Sequence, residues 1–124
     1  MKVLLVDDQT QFVSILTRRL NMRGIEAVCA FSPEQALEVV DSDHFDLAVL
    51  DMKMPGMSGI ELRRILHEKD PDLKFIFLTG HGSEQEYKVG ASGAAFFLPK
   101  PLQIDQLIEA IHKTLPEKIL INGR

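Results

Sequence analysis

The stretch KVLLVDDQTQFVSILTRRLNMRG, residues 2–24, holds in miniature the pattern that organises the whole chain. Four aliphatics in a row, Val3 to Val6, suit a strand buried on both faces better than one that alternates between core and solvent. Two adjacent aspartates, Asp7 and Asp8, stop it. Phe12, Ile15, Leu16 and Leu20 then recur at helical spacing, while Arg18 and Arg19 point elsewhere and Gly24 closes the helix as a C-cap residue. The unit is one strand followed by one helix.

The unit recurs along the chain. Short apolar runs stand at Lys2–Val6, Ile25–Ala30, Phe45–Leu50, Lys74–Thr79 and Ala94–Leu98, with helical periodicity between them. Ser32 followed by Pro33 and Glu34 opens a helix through about Asp41, with proline at its first position. Ser58 starts another, with Ile60, Leu62, Ile65 and Leu66 as its apolar positions. A helix over Ser83 to about Ala91 is short and poorly apolar, and the last runs from about Ile104 to Leu115 with Ile104, Leu107, Ile108 and Ile111 inward. Strands this apolar, separated by helices, predict a parallel sheet covered on both faces.

Composition bounds what the chain does. At 124 residues, 45% hydrophobic and 26% charged, it has the makeup of a single globular domain. The net charge of −4 and the lack of a basic stripe argue against direct nucleic acid binding. The single cysteine, Cys29, excludes an internal disulfide and reads as a small core residue. No apolar run approaches transmembrane length, and the start is too quickly acidic for a signal peptide, so a cytoplasmic protein is the expectation.

In open parallel sheets functional groups collect at the carboxyl ends of the strands. Those ends carry Asp7 and Asp8, then Asp51, then Thr79, with Lys100 just past the last. Taken singly, each has a plain structural reading. Asp7 or Asp8 caps the first helix, Asp51 precedes a turn at Pro55 and Gly56, Thr79 is a strand residue, and Lys100 is a solvated charge. Taken together they make a chemistry. Clustered carboxylates raise one another's pKa unless a cation is present, and Mg²⁺ suits oxygen donors beside a phosphate. A carboxylate also serves as nucleophile toward a phosphoryl group. Phosphoryl transfer asks mostly for positioning and charge neutralisation, which a metal, one lysine and one hydroxyl supply.

VLLVDD at 3–8, LAVLDMKMPGMSGIEL at 47–62, FIFLTGHG at 75–82 and GAAFFLPKP at 93–101 resemble, in order, the signature segments of the response-regulator receiver domain of two-component signalling. The resemblance covers residues 2 to about 115. It implies a three-layer flavodoxin-like (βα)5 sandwich with a five-stranded parallel sheet of order 2-1-3-4-5. It also implies that Asp51 is the phosphoacceptor, charged from a histidine kinase or phosphotransfer protein. Asp8 and Asp51 would ligate Mg²⁺ (or Mn²⁺) directly, Asp7 through water, and the backbone carbonyl of Lys53 would complete the protein ligands. Lys100 would pair with phosphoryl oxygens, Thr79 would move toward the phosphate, and Phe97 would change rotamer. The Lys100–Pro101 bond is expected to be cis. The surface formed by the fourth helix, fifth strand and last helix would then shift to control an output partner or effector domain. On this reading the domain catalyses only its own phosphotransfer and autodephosphorylation.

Departures from the family pattern carry their own expectations. The segment before GAAFFLPKP is about one residue short, which predicts a truncated fourth helix and weakens that face as a homodimer surface. Pro99 cannot donate to a ladder, which is tolerable because the strand order that the resemblance implies makes the fifth strand an edge strand. Lys53 and His81 stand where the family tunes phosphate lifetime. Lys53 either screens the phosphoryl group or orients an attacking water, and His81 is either such a tuner or a loop histidine. His44, His67 and His112 lack metal-ligand spacing and read as surface residues, and Met52, Met54 and Met57 read as loop packing.

Other readings fit less well. A haloacid-dehalogenase-type phosphatase wants an aspartate where Lys53 stands. A flavin-binding flavodoxin-like module wants Ser, Thr and Gly where DDQTQF stands, and a pseudo-receiver would not need the complete set of acidic residues, Thr79 and Lys100. Residues 1–116 are expected to form the receiver domain and 117–124 a tail or the start of a linker, with any effector domain beyond Arg124.

Overall fold

The computed structural model describes residues 1–80 and 96–116. Its elements are β1 (Lys2–Val6), α1 (Thr10–Met22), β2 (Glu26–Ala30), α2 (Pro33–Ser42), β3 (Leu47–Asp51), α3 (Gly59–Lys69), β4 (Lys74–Thr79), β5 (Phe96–Pro99) and α4 (Ile104–Thr114). The strands form one parallel sheet in the order β2-β1-β3-β4-β5. This is the flavodoxin-like arrangement. The predicted helix over 83 to about 91, the start of the fifth apolar run and the tail 117–124 lie outside the described residues.

Successive strand side chains point to opposite faces, and here both faces are apolar. Val3, Leu5, Leu47, Val49, Ile76 and Leu78 meet Val13, Leu16 and Leu20 of α1 and Leu107 and Ile111 of α4. Leu4, Val6, Ala48, Leu50, Phe75 and Phe77 meet Ala36 of α2 and Leu62 and Leu66 of α3. The continuous aliphatic runs are therefore the signature of a sheet filled from both sides.

Helix starts follow the sequence closely. Ser32 accepts from Gln35 N at 3.1 Å and Ser58 from Glu61 N at 3.2 Å, each satisfying an otherwise unpaired first-turn donor. Gly24 follows the C-cap residue Arg23 with φ +81°, a conformation only glycine takes without strain. Three expectations need correcting. Ile15 is 41% exposed, because the stripe of α1 that touches the sheet runs through Val13, Leu16 and Leu20. Cys29 is half-buried, since β2 is an edge strand. Neither aspartate caps α1; Gln9 occupies that position. Met52 is fully buried, whereas Met54 and Met57 pack at the margin of the second core. No described helix is long and apolar enough to cross a membrane.

Candidate phosphoacceptor and metal site

Strand order brings the ends of β1, β3 and β4 side by side. After β1 the Asp7 N–H still donates to Ala30 O at 3.1 Å, and its carboxylate Oδ1 accepts from Gln9 N at 2.9 Å, turning the chain into α1. Asp51 is the last residue of β3, in register with Leu78. The chain then doubles back: Gly59 N donates to Met52 O at 3.0 Å, and a Cβ at Gly59 would collide with the Asp51 carbonyl. Close approach of α3 to the end of β3 therefore requires glycine. At the far side, Lys100 N donates to Thr79 O at 2.8 Å, and the Lys100–Pro101 bond is cis.

Asp7 is fully buried, Asp51 is 5% exposed, and Asp8 is open to solvent. Each offers a carboxylate oxygen, and the three oxygens lie within 4.8 Å of one another. Such crowding needs a cation. Among the described residues Lys100 supplies one, its Nζ lying 2.7 Å from Asp7 Oδ2 and 3.5 Å from Asp51 Oδ1. Even so, among the described residues Asp7 Oδ2 accepts no hydrogen bond of regular geometry. Asp51 is pushed up to about 6, first by burial and second by the charge of Asp7, with Asp8 adding to the rise. Lys100 and the Lys53 N–H work in the opposite direction. A poorly satisfied buried oxygen, and a carboxyl kept from ionising first by burial and then by the Asp7 charge, mark a site that a further cation would relieve. The donors are all hard oxygens, and the set fits a Mg²⁺-type ion.

The remaining expected residues fall around this cluster. Thr79 is buried at the end of β4, paired in register with Pro99 on the edge strand β5. Phe97 is half-buried and stacks on Phe77, with ring centroids 5.6 Å apart. The Lys53 side chain is exposed while its backbone N–H serves Asp51. His81 lies outside the described residues. His44, His67 and His112 are all exposed. Two neighbours were not anticipated: Gln9 Oε1 accepts from Lys100 Nζ at 2.9 Å, and the Phe12 ring centroid lies 4.9 Å from the same atom. Phe12 read only as core, and a glutamine after an acidic pair carries no signal until Lys100 is brought beside it.

The sequence pattern of the Response regulator receiver domain family matches residues 3–112. The chain belongs to that family. The receiver domain is 35% identical over 118 residues to sporulation initiation phosphotransferase F of Bacillus subtilis, covering 94% of this chain and 95% of that one. It is 37% identical over 115 residues to the transcriptional regulatory protein CpxR of Escherichia coli, covering 92% of this chain but only 49% of the regulator. Response regulator protein TrrA from Thermotoga maritima, solved in complex with Mg(2+)-BeF, superposes with a TM-score of 0.81 at 32% identity, covering 92% of this chain and 98% of TrrA. As a receiver domain the chain is a phosphoaccepting signalling switch that acts through its own phosphotransfer and autodephosphorylation.

Proposed function

We propose that Asp51 is the phosphoacceptor and that Asp7, Asp8, Asp51 and the Lys53 carbonyl hold Mg²⁺. The observation that carries this is the placement of Asp51: a carboxylate ending the central strand β3, flanked by two others and faced by a lysine at 3.5 Å. The step is an in-line displacement. An Asp51 oxygen attacks phosphorus, the P–N bond to the donor histidine breaks, and the imidazole leaves with the electron pair. A divalent cation held by the carboxylates would neutralise the phosphoryl oxygens during transfer. Lys100, already within reach of Asp51, passes from carboxylate to phosphoryl oxygen.

The new charge, roughly −1.5 to −2, then biases the switch. Thr79 brings its hydroxyl to the phosphoryl group, a reading supported by its position at the end of β4, the strand paired with the one that Asp51 ends. Phe97 stands beside Phe77 and repacks as Thr79 moves. Lys53 and His81 set how long the acyl phosphate lasts. The donor is a histidine kinase or phosphotransfer protein in the cytoplasm. Residues 1–116 form the receiver and 117–124 a tail or linker start.

Intact-mass spectrometry with acetyl phosphate and Mg²⁺ tests the assignment. Wild type should gain one phosphoryl group and Asp51→Asn none. A labelled Asp51→Asn protein, or labelling of wild type in excess chelator, would overturn it.

A further inference from the structure

Lys100 is held by groups of two kinds. Its ammonium faces the carboxylates of Asp7 at 2.7 Å and Asp51 at 3.5 Å, and it donates to the neutral carboxamide of Gln9 at 2.9 Å. The Phe12 ring lies against the same atom, 4.9 Å from its centroid. Gln9 is the N-cap residue of α1, yet its side chain makes no capping bond. Ser32 and Ser58, at the same position of α2 and α3, both bond to their own helices. The Gln9 side chain instead serves Lys100, and its backbone is anchored through the bond from its N–H to Asp7 Oδ1 at 2.9 Å. Asp7, Gln9 and Lys100 thus close a ring of three contacts.

The two kinds of acceptor behave differently when the site is used. A carboxylate engaged by a cation has less charge to offer the lysine, and Asp51 loses its charge to the acyl bond as the phosphoryl group arrives. The Gln9 carboxamide is neutral, so neither event weakens it as an acceptor. We propose that Gln9 is a positioning residue, a neutral tether that keeps the Lys100 ammonium beside Asp51 while the carboxylates change partners. The Phe12 ring supports the tether by shielding the ammonium from water on one side. This inference rests on the reading of Asp51 as phosphoacceptor and names a residue that the reading does not include.

The test has two readouts on the full chain. The first is the NMR order parameter of the Lys100 Cε methylene in metal-free protein, compared among wild type, Gln9→Leu and Gln9→Glu. The second is the rate at which acetyl phosphate with Mg²⁺ labels Asp51. In that reaction the P–O bond to acetate breaks, acetate leaves with the electron pair, and phosphorus bonds to an Asp51 oxygen. Gln9→Leu should loosen Lys100 and slow labelling by about five-fold, the loss expected for one partly exposed hydrogen bond to a charge. Gln9→Glu keeps the acceptor and should keep Lys100 ordered. Gln9→Ala replaces Gln9→Leu if that variant does not fold. An unchanged order parameter in Gln9→Leu overturns the proposal, as does a loosened Lys100 with an unchanged labelling rate, or equal loosening in Gln9→Glu. Should wild type itself take no phosphoryl group, the phosphoacceptor reading fails, while the order parameters still judge the tether.

Discussion

The Lys100 ammonium lies closer to Asp7, at 2.7 Å, than to Asp51, at 3.5 Å. With the Asp7 carboxylate fully buried and the lysine side chain 15% exposed, this contact is the main neutralisation of a charge withdrawn from water. Replacing Lys100 with Met would strand that charge. The metal-free Lys100→Met protein should lose about 2–4 kcal/mol of stability. Mg²⁺ should restore much of the loss, so that thermal melts show a larger Mg²⁺-induced rise in Tm for Lys100→Met than for wild type. Equal rises would contradict the role given to Lys100.

The Asp51 carboxyl, raised from 3.8 to about 6 chiefly by burial and then by the charge of Asp7, makes stability pH-dependent in a defined direction. The folded state holds this proton more tightly than the unfolded chain. Its contribution is therefore fully present below the unfolded value of 3.8 and is lost as pH rises through about 6. Metal-free Asp51→Asn should exceed wild type in stability at neutral pH by about 1–2 kcal/mol, and the gap should close near pH 4. Denaturant melts at several pH values measure this.

The same ionisation governs cation binding. Mg²⁺ competes with a proton at Asp51, so its affinity should fall as pH drops below about 6. Titration calorimetry across that window should show the fall, and Asp51→Asn should abolish the pH dependence along with most of the affinity. A pH-independent affinity would exclude Asp51 as a ligand.

Two glycines should respond differently to alanine. At Gly59 a Cβ meets the Asp51 carbonyl and sits 3.0 Å from Met52 Cα, so backbone must shift. Gly59→Ala should cost about 1–3 kcal/mol and slow labelling of Asp51, because the displaced backbone carries the proposed nucleophile. Gly56, at φ +86° with open space around it, should pay only conformational strain of about 1 kcal/mol and label normally. Equal labelling rates in the two variants would dismiss the proposed coupling.

Asn21 offers a control remote from the chemistry. Its carboxamide accepts from Ala27 N at 2.8 Å and donates to Ala27 O at 3.1 Å, occupying the edge of β2. Asn21→Ala should cost about 1–2 kcal/mol in a denaturant melt and leave the labelling rate untouched.

Much of this protein is local in origin. The bounds of β1 and β4, the caps at Ser32 and Ser58, and the glycine ending α1 are all legible in the sequence. They depend on neighbours a few residues away. That the acidic and basic candidate residues would meet was legible for a related reason: each sits at or just past the end of an apolar run, and parallel strands align such ends. The strand order 2-1-3-4-5, by contrast, is not written in periodicity and came only with the family resemblance.

The tertiary structure decided what depends on distant partners. Contact with the sheet selected Val13 over Ile15 on α1, because several apolar stripes on one helix are equivalent until a surface is packed against them. It also set unequal fates for adjacent aspartates: Asp7 is buried and bound to Lys100, while Asp8 faces solvent. Gln9 gained its partner in the same way. Residues 9 and 100 meet only because β1 and β4 flank the same central strand, carrying the loop after β5 back over the start of α1. Sequence chose the chemical groups; the long-range order of the strands chose which of them touch.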